Sequence, residues 1–218
     1  MNDYGFAWML LAIILFLVGL PVAEELHVVD TTIVRASLYT CLLVIGVWSL
    51  RGAGTMFAVG MAFAAVGILL NFIHIANDGG TLFAWSFASL LGFLVTAIWH
   101  TLKIISRADE SNIDRLIGAV CLYLLLGLAW AIVYSLFHWV EPESFAGLPE
   151  DASIQFDSAF VFFSFVTMTA LGYGDIVPLT PTLRTFAYLQ AIVGQFYLAI
   201  MVASLVSAYI ASAREKNR

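Results

Sequence analysis

Long uncharged stretches alternate with short polar segments along most of this chain. Six stretches approach the about 20 residues that a membrane-spanning helix needs, and they cover residues 4–23, 31–50, 52–77, 79–102, 116–140 and 185–213. Only Arg35 interrupts them. A seventh run, residues 158–174, is shorter and ends in glycine-rich sequence, so we expect it to enter the membrane and turn back. The pattern predicts six transmembrane helices and one re-entrant segment.

The composition favours a membrane protein over a soluble domain. The chain has 218 residues, of which 62% are hydrophobic and 11% are charged, and a globular domain of this size does not need so much apolar surface. We therefore predict an all-α integral membrane protein. The residues before the first stretch include Asp3 and no basic residue, unlike a signal peptide, so we expect the stretch to remain as a helix. Cys41 and Cys121 both fall inside predicted spans, and they indicate no disulfide framework.

The basic residues predict the orientation of the chain in the membrane. If both termini are cytoplasmic, seven of the nine basic residues lie inside and two, Arg35 and Arg184, lie outside. This agrees with the tendency of lysine and arginine to remain on the cytoplasmic side. The inside residues are Arg51, Lys103, Arg107, Arg115, Arg214, Lys216 and Arg218. The net charge of −6 gives no indication of nucleic-acid binding.

A short polar run near residue 109 divides the chain into two predicted domains. Residues 1–108 hold four helices in a peripheral transmembrane domain. Residues 109–218 hold a helix, an outer loop, the re-entrant segment and the last helix. The fourth span contains no arginine, whereas a voltage sensor needs charges that move within the membrane field. We therefore do not expect conventional voltage gating.

The re-entrant segment ends in Thr167–Asp175, "TMTALGYGD". A dehydrated cation needs several oxygen ligands at once, and a backbone supplies them only if successive carbonyls point the same way. Residues with a Cβ resist the alternating conformation that this requires, whereas glycine accepts it. Gly172 and Gly174, with Tyr173 between them, therefore suit a loop lined by carbonyl oxygens.

The sequence around this loop resembles the pore segment of tetrameric potassium channels, especially small bacterial two-helix pore modules. The closest resemblance lies in residues 162–178, "FFSFVTMTALGYGDIVP". Arg184 before the last span, Gly194 within it and the stretch "GQFYLAIMVASLV" are also similar to the family pattern. The resemblance covers residues 116–213, and the first four spans resemble the peripheral domain of six-helix channels only in their arrangement.

The resemblance implies a selectivity filter made by four copies of the chain. In the family the filter carbonyls form stacked potassium sites, and here these would be the carbonyls of Ala170, Leu171, Gly172 and Tyr173. One chain supplies one loop, so a homotetramer with a central axis is implied. The expected partners are the lipid bilayer, other copies of the chain and potassium ions as the permeant ligand. No other cofactor is expected, and the implied location is a bacterial plasma membrane.

Other residues around the loop receive supporting roles from the resemblance. Gly174 and Asp175 would shape the outer mouth, and Thr167 and Thr169 would lie on the pore helix or behind the filter. Gly194 has two interpretations. It is a bending point for gating in the family, and it is equally well explained by close helix packing.

Three residues depart from the family pattern. Ala170 stands where filters usually carry threonine, whose hydroxyl completes the innermost ion site, so we expect that site to be weak or hydrated. Leu171 replaces valine and should alter packing alone. Phe162 and Phe163 stand where many relatives carry tryptophan, and phenylalanine has no hydrogen-bond donor for Tyr173 or Asp175. The sequence thus predicts a filter prone to collapse or inactivation.

Several functions remain open on the sequence alone. The leading hypothesis is a passive potassium channel, and within the channel class the alternative is a weakly selective cation channel, because of Ala170. A potassium-uptake transporter usually carries four pore loops in one chain, and this chain has one. A non-conducting scaffold or sensor could keep the same fold. An enzyme is not expected, because the sequence shows no nucleophile, metal cluster or phosphate-binding loop.

Overall fold

A computed structural model of the chain describes residues 5–26, 31–49, 54–77, 80–105, 112–149 and 158–216. Within these ranges the chain is almost entirely helical. The helices are α1 (Gly5–Leu26), α2 (Thr31–Ser49), α3 (Thr55–Asn77), α4 (Gly80–Ile105), α5 (Asn112–Val140), α6 (Ser158–Met168) and α7 (Pro181–Lys216). A 3₁₀ turn (Pro142–Ser144) and two short strands, β1 (Phe145–Ala146) and β2 (Val177–Pro178), lie around α6.

Four helices in the described part of the chain are long and apolar enough to cross a membrane. The qualifying stretches are Thr55–Ile73, Ala84–Ile105, Arg115–Val140 and Pro181–Ser204. Helices α1 and α2 contribute the shorter apolar stretches Phe6–Val22 and Tyr39–Trp48. The prediction of an all-α, multi-pass membrane protein is therefore confirmed, and the count of six spans stays a prediction.

The first four helices and α5 share one continuous core. Helix α3 lies along α4, α1 lies along α2, and both α1 and α4 contact α5. Buried residues of α5 such as Cys121, Leu125 and Leu128 share a cluster with Ile13 of α1 and Leu94 of α4. The predicted boundary at residue 109 lies outside the described residues. Helix α5, which begins after this boundary, packs against α1 and α4 as well as against α6 and α7.

Helix α6 is a short helix placed between two long ones. Its 11 residues give a length of about 16 Å, roughly half the hydrocarbon thickness of a bilayer. It packs against α5 on one side and α7 on another. The chain leaves α6 in an irregular segment that leads to β2 and then to the start of α7. This arrangement is what the sequence predicts for a segment that enters the membrane and turns back.

Candidate functional site

The irregular segment begins with a helix-ending motif centred on Ala170. The amide of Ala170 donates to the carbonyl of Thr167 at 3.0 Å, and the amide of Leu171 donates to the carbonyl of Val166 at 3.0 Å. These are the two bonds of a Schellman motif, in which the residue at the position of Ala170 adopts the left-handed conformation and is usually glycine. Ala170 has a φ of 57°. It is the only non-glycine residue with positive φ in the described ranges.

Left-handed backbone then recurs at every second residue of the loop. Gly172 has a φ of 60° and Gly174 has a φ of 80°, whereas Leu171 and Tyr173 between them are not in this region. A Cβ added to either glycine would meet no atom of the chain within 4 Å. Glycine is therefore required at these two positions by the backbone conformation and not by lack of space. A loop lined by carbonyl ligands needs an alternating backbone conformation of this kind, and residues 170, 172 and 174 have it.

The loop is exposed in the single chain. Residues 169–175 are all exposed, with 58% of Leu171 and 67% of Tyr173 accessible. The side chain of Thr169 turns back toward α6, where its hydroxyl donates to the carbonyl of Phe165 at 2.7 Å. Thr167 is the penultimate residue of α6, half-buried, and its carbonyl takes part in the helix-ending motif. The chain thus anchors the start of the loop and leaves most of its surface uncovered.

The two phenylalanines that replace tryptophan have different surroundings. The ring of Phe162 is parallel to that of Tyr173, with the centroids 6.0 Å apart and the planes 2° apart. Phe163 packs instead into a buried aromatic cluster, with its ring centroid 4.9 Å from that of Tyr134 and 5.4 Å from that of Phe145. The structure therefore places Phe162 against Tyr173 and Phe163 between α6 and α5.

The outer end of the loop is tied to the segment that follows α5. Strands β1 and β2 are antiparallel, with Phe145 opposite Pro178, and the amide of Leu179 donates to the carbonyl of Ser144 at 2.9 Å. Asp175 accepts a hydrogen bond from the amide of Ile176 at 3.0 Å. Gly147 has a φ of 80°, and a Cβ there would overlap the carbonyl oxygen of Asp175. Gly147 is not among the residues predicted from the sequence, since a glycine in a polar loop carries no signal of this contact.

The start of α7 is fixed next to the same outer end. Thr180 caps the helix through its hydroxyl, which accepts from the amide of Leu183 at 3.3 Å, and Pro181 occupies the first helical position. Both residue types are favoured there. The Nε of Arg184 donates to the carbonyl of Pro178 at 3.0 Å. Arg184 therefore joins α7 to β2, directly after the loop.

A buried polar network lies behind α6, and its residues were not predicted from the sequence either. Gln190 of α7 bonds to both Tyr134 of α5 and Ser164 of α6, and all three side chains are fully buried. The signal available in the sequence was an amide side chain in the apolar first half of α7, and Gln195 gives the same signal there. The partners of Gln190, Tyr134 and Ser164, lie 56 and 26 residues away along the chain, and the sequence gives no sign of either contact.

Gly194 lies against the end of α6 that leads into the loop. A Cβ at this position would overlap the carbonyl oxygen of Met168 and would lie 2.7 Å from its Cγ. Helix α7 continues without interruption through this point. The structure therefore gives Gly194 the packing role, and its role as a bending point stays a prediction.

Comparisons with known proteins agree with this geometry. Residues 119–211 match a family model described as "Ion channel", which includes α6, the loop and most of α5 and α7. The chain is also similar to Two-pore potassium channel 5 of Arabidopsis thaliana, with 29% identity over 102 residues, which are 47% of this chain and 22% of that protein. The chain thus spans less than a quarter of that relative's length. No solved structure matches the chain. The family match covers the part of the chain that holds α6 and the loop, and the two comparisons together support membership of the potassium channel superfamily.

Proposed function

We propose that four copies of the chain assemble around the loop and conduct potassium passively across the membrane. In this assembly the carbonyls of Ala170, Leu171, Gly172 and Tyr173 form stacked ion sites, and Gly174 and Asp175 form the outer mouth. A single loop cannot surround a dehydrated ion, whereas four loops around an axis replace its hydration shell. Both termini are cytoplasmic in this proposal, and no voltage sensor takes part.

The observation that carries this proposal is the alternating backbone of residues 170, 172 and 174. A glycine-rich turn between two membrane helices needs one or two residues of positive φ, and it has no need of a regular alternation. The exposure of Leu171 and Tyr173 in the single chain supports the same proposal. A filter loop is covered by its symmetry-related copies, so a chain seen alone leaves it open.

Ala170 limits the expected number of strong sites. Its carbonyl remains available, but it lacks the hydroxyl that threonine supplies at this position in the family, which removes four oxygens from the tetramer. We therefore expect three outer sites to bind potassium and the innermost site to be weak or hydrated. The same missing ligands favour, as a second candidate, a cation channel with weak selectivity for potassium over sodium.

Reconstitution into liposomes tests both candidates. Purified protein is placed in vesicles with a potassium gradient, and flux is followed with and without external barium, which blocks potassium pores. Barium-sensitive flux and a reversal potential close to that of potassium in mixed potassium and sodium support the selective channel. A reversal potential midway between the two ions supports the weakly selective channel. Absence of flux from well-folded tetramers contradicts conduction and supports a scaffold.

A further inference from the structure

The pore segment contains one buried polar network that joins its three helices. The hydroxyl of Tyr134 on α5 donates to Oε1 of Gln190 on α7 at 2.7 Å. Nε2 of Gln190 donates to the hydroxyl of Ser164 on α6 at 2.7 Å and to its carbonyl at 3.0 Å. The hydroxyl of Ser164 in turn donates to the carbonyl of Gly127 on α5 at 2.7 Å.

Every hydrogen of these three side-chain groups is used once. Tyr134 and Ser164 each donate their single hydroxyl hydrogen, and Gln190 donates both amide hydrogens, one to each oxygen of Ser164. Turning the amide over would place Oε1 against the Ser164 carbonyl, which cannot donate. The network therefore fixes the orientation of Gln190 as well as its position.

The network and the packing of Gly194 on Met168 both hold α7 against α6. Ser164 and Met168 are four residues apart on α6, and Gln190 and Gly194 are four residues apart on α7. Residues four apart lie on one face of a helix. Gln190 contacts Ser164 by hydrogen bonds, and Gly194 contacts the Met168 carbonyl by direct packing. The two contacts are the same distance apart on both helices, about 6 Å along the axis.

These contacts lead directly to the filter loop. Met168 is the last residue of α6, and Ala170 two residues later begins the alternating backbone. A shift of α7 along its axis would break the bonds of Gln190 to Ser164 and would leave buried donors and acceptors without partners. Such groups are costly in an apolar interior, so α6 is expected to move with α7.

We propose that Gln190 is a positioning residue that keeps α6, and with it the filter loop, in the conducting arrangement. The amide transmits the position of α7 to α6 through Ser164, and Tyr134 holds the amide in place. Loss of the amide lets the start of the loop shift, and the filter then leaves its conducting form more readily. This inference rests on the proposed potassium conduction.

The test compares Gln190→Met with wild type in bilayers, as external potassium is lowered. Methionine keeps the length of the side chain and removes both the donors and the acceptor. The rate at which the current declines should rise at least about fivefold, the factor that corresponds to the net loss of one hydrogen bond, because the substitution removes all three bonds of the amide. Ser164→Ala and Tyr134→Phe, which delete one hydroxyl each, should accelerate the decline less, and Ser164→Ala should add little to Gln190→Met.

Ser204→Ala is the matched control. Ser204 also lies on α7, but its hydroxyl bonds only within the helix, to the carbonyl of Met201 at 2.8 Å. The current of Ser204→Ala should decline at the same rate as that of wild type. A purely structural role of Gln190 would lower the yield of tetramer and leave the decline rate of assembled channels unchanged, and that result would overturn the inference.

The remaining outcomes separate the inference from the proposed function. If wild-type tetramers carry no potassium current, the proposed function fails, and the inference fails with it. If wild type conducts and Gln190→Met declines at the wild-type rate, only the inference fails. If Gln190→Met does not assemble, Ser164→Ala and Tyr134→Phe provide the test. Current decline at the wild-type rate in both of these variants would contradict the role of the network.

Discussion

Two substitutions of Ala170 test whether the filter loop is strained at its inner end. Ala170 has a φ of 57°, where a residue with a Cβ costs roughly 1–2 kcal/mol. Ala170→Gly removes this cost, while the freedom of glycine in the unfolded chain offsets roughly 0.4–1 kcal/mol of the gain. The net expectation is a stabilisation of about 1 kcal/mol per chain, or about 4 kcal/mol in a tetramer that carries four copies.

Ala170→Thr should act in the opposite direction on the backbone. A β-branched residue at positive φ is a rare conformation, so threonine should strain the helix-ending motif more than alanine does. Its hydroxyl, however, would return four oxygens to the innermost ion site. Strain is present without potassium, whereas the added ligands act only with potassium, so the two effects can be separated.

The assay is the temperature at which purified tetramers dissociate, measured by size-exclusion chromatography after heating at several potassium concentrations. Without potassium, Ala170→Gly should dissociate at the highest temperature, wild type next and Ala170→Thr at the lowest. Added potassium should stabilise Ala170→Thr most, because bound ligand stabilises the state that binds it.

A matched control has the same chemical change in a helix. Ala88 is exposed in the middle of α4, where Ala88→Gly should destabilise the protein by about 1 kcal/mol. The two alanine-to-glycine changes are thus expected to have opposite signs. If Ala170→Gly lowered the dissociation temperature as Ala88→Gly does, the left-handed backbone at position 170 would be refuted.

Three further substitutions test the contacts around the loop. Gly147→Ala should lower the dissociation temperature of the tetramer and weaken potassium selectivity, because its Cβ would displace the Asp175 carbonyl at the outer mouth; unchanged reversal potentials would contradict this contact. Gly194→Ala should reduce the yield of tetramer on size-exclusion chromatography, because its Cβ would push α7 away from Met168; normal yield with altered gating would favour the bending role. Phe162→Trp should slow the decline of current at low external potassium, because it adds an indole donor beside Tyr173; a decline as fast as in wild type would argue against a filter weakened by the missing donor.

The sequence predicted the helices well because uncharged length is a direct requirement of the membrane. The last predicted span began at residue 185, and α7 begins at Pro181. The predicted span began after the charged Arg184, whereas the helix starts three residues earlier, where Thr180 caps it and Pro181 takes the first position. The short α6 and the loop after it were also predictable, since the glycine-rich end of an uncharged run excludes a full crossing.

The details of the site depended on contacts between distant parts of the chain. The left-handed φ of Ala170 is set by how α6 ends, and alanine gives no sign of it, whereas a glycine would have. Phe162 and Phe163 are neighbours in sequence and were interpreted together, but the helix turns one toward Tyr173 and the other toward Tyr134. Gln190 and Ser164 could be paired only once α6 and α7 were placed side by side.

The two ends of the loop are held by different interactions, whereas its middle makes few contacts within the described chain: the Tyr173 ring lies parallel to that of Phe162, and the Gly172 amide donates to the Val166 carbonyl at 3.4 Å. At the inner end the helix-ending motif and the packing of Gly194 on Met168 fix the backbone. At the outer end β1 and β2 and the contact at Gly147 do so. A Cβ added at Gly172 or Gly174 would meet no atom of the chain within 4 Å. In the proposed tetramer, bound ions and other copies of the chain would stabilise the middle of the loop, so potassium should act on tetramer stability as a ligand does. The loss of potassium should release the middle of the loop while both ends stay in place.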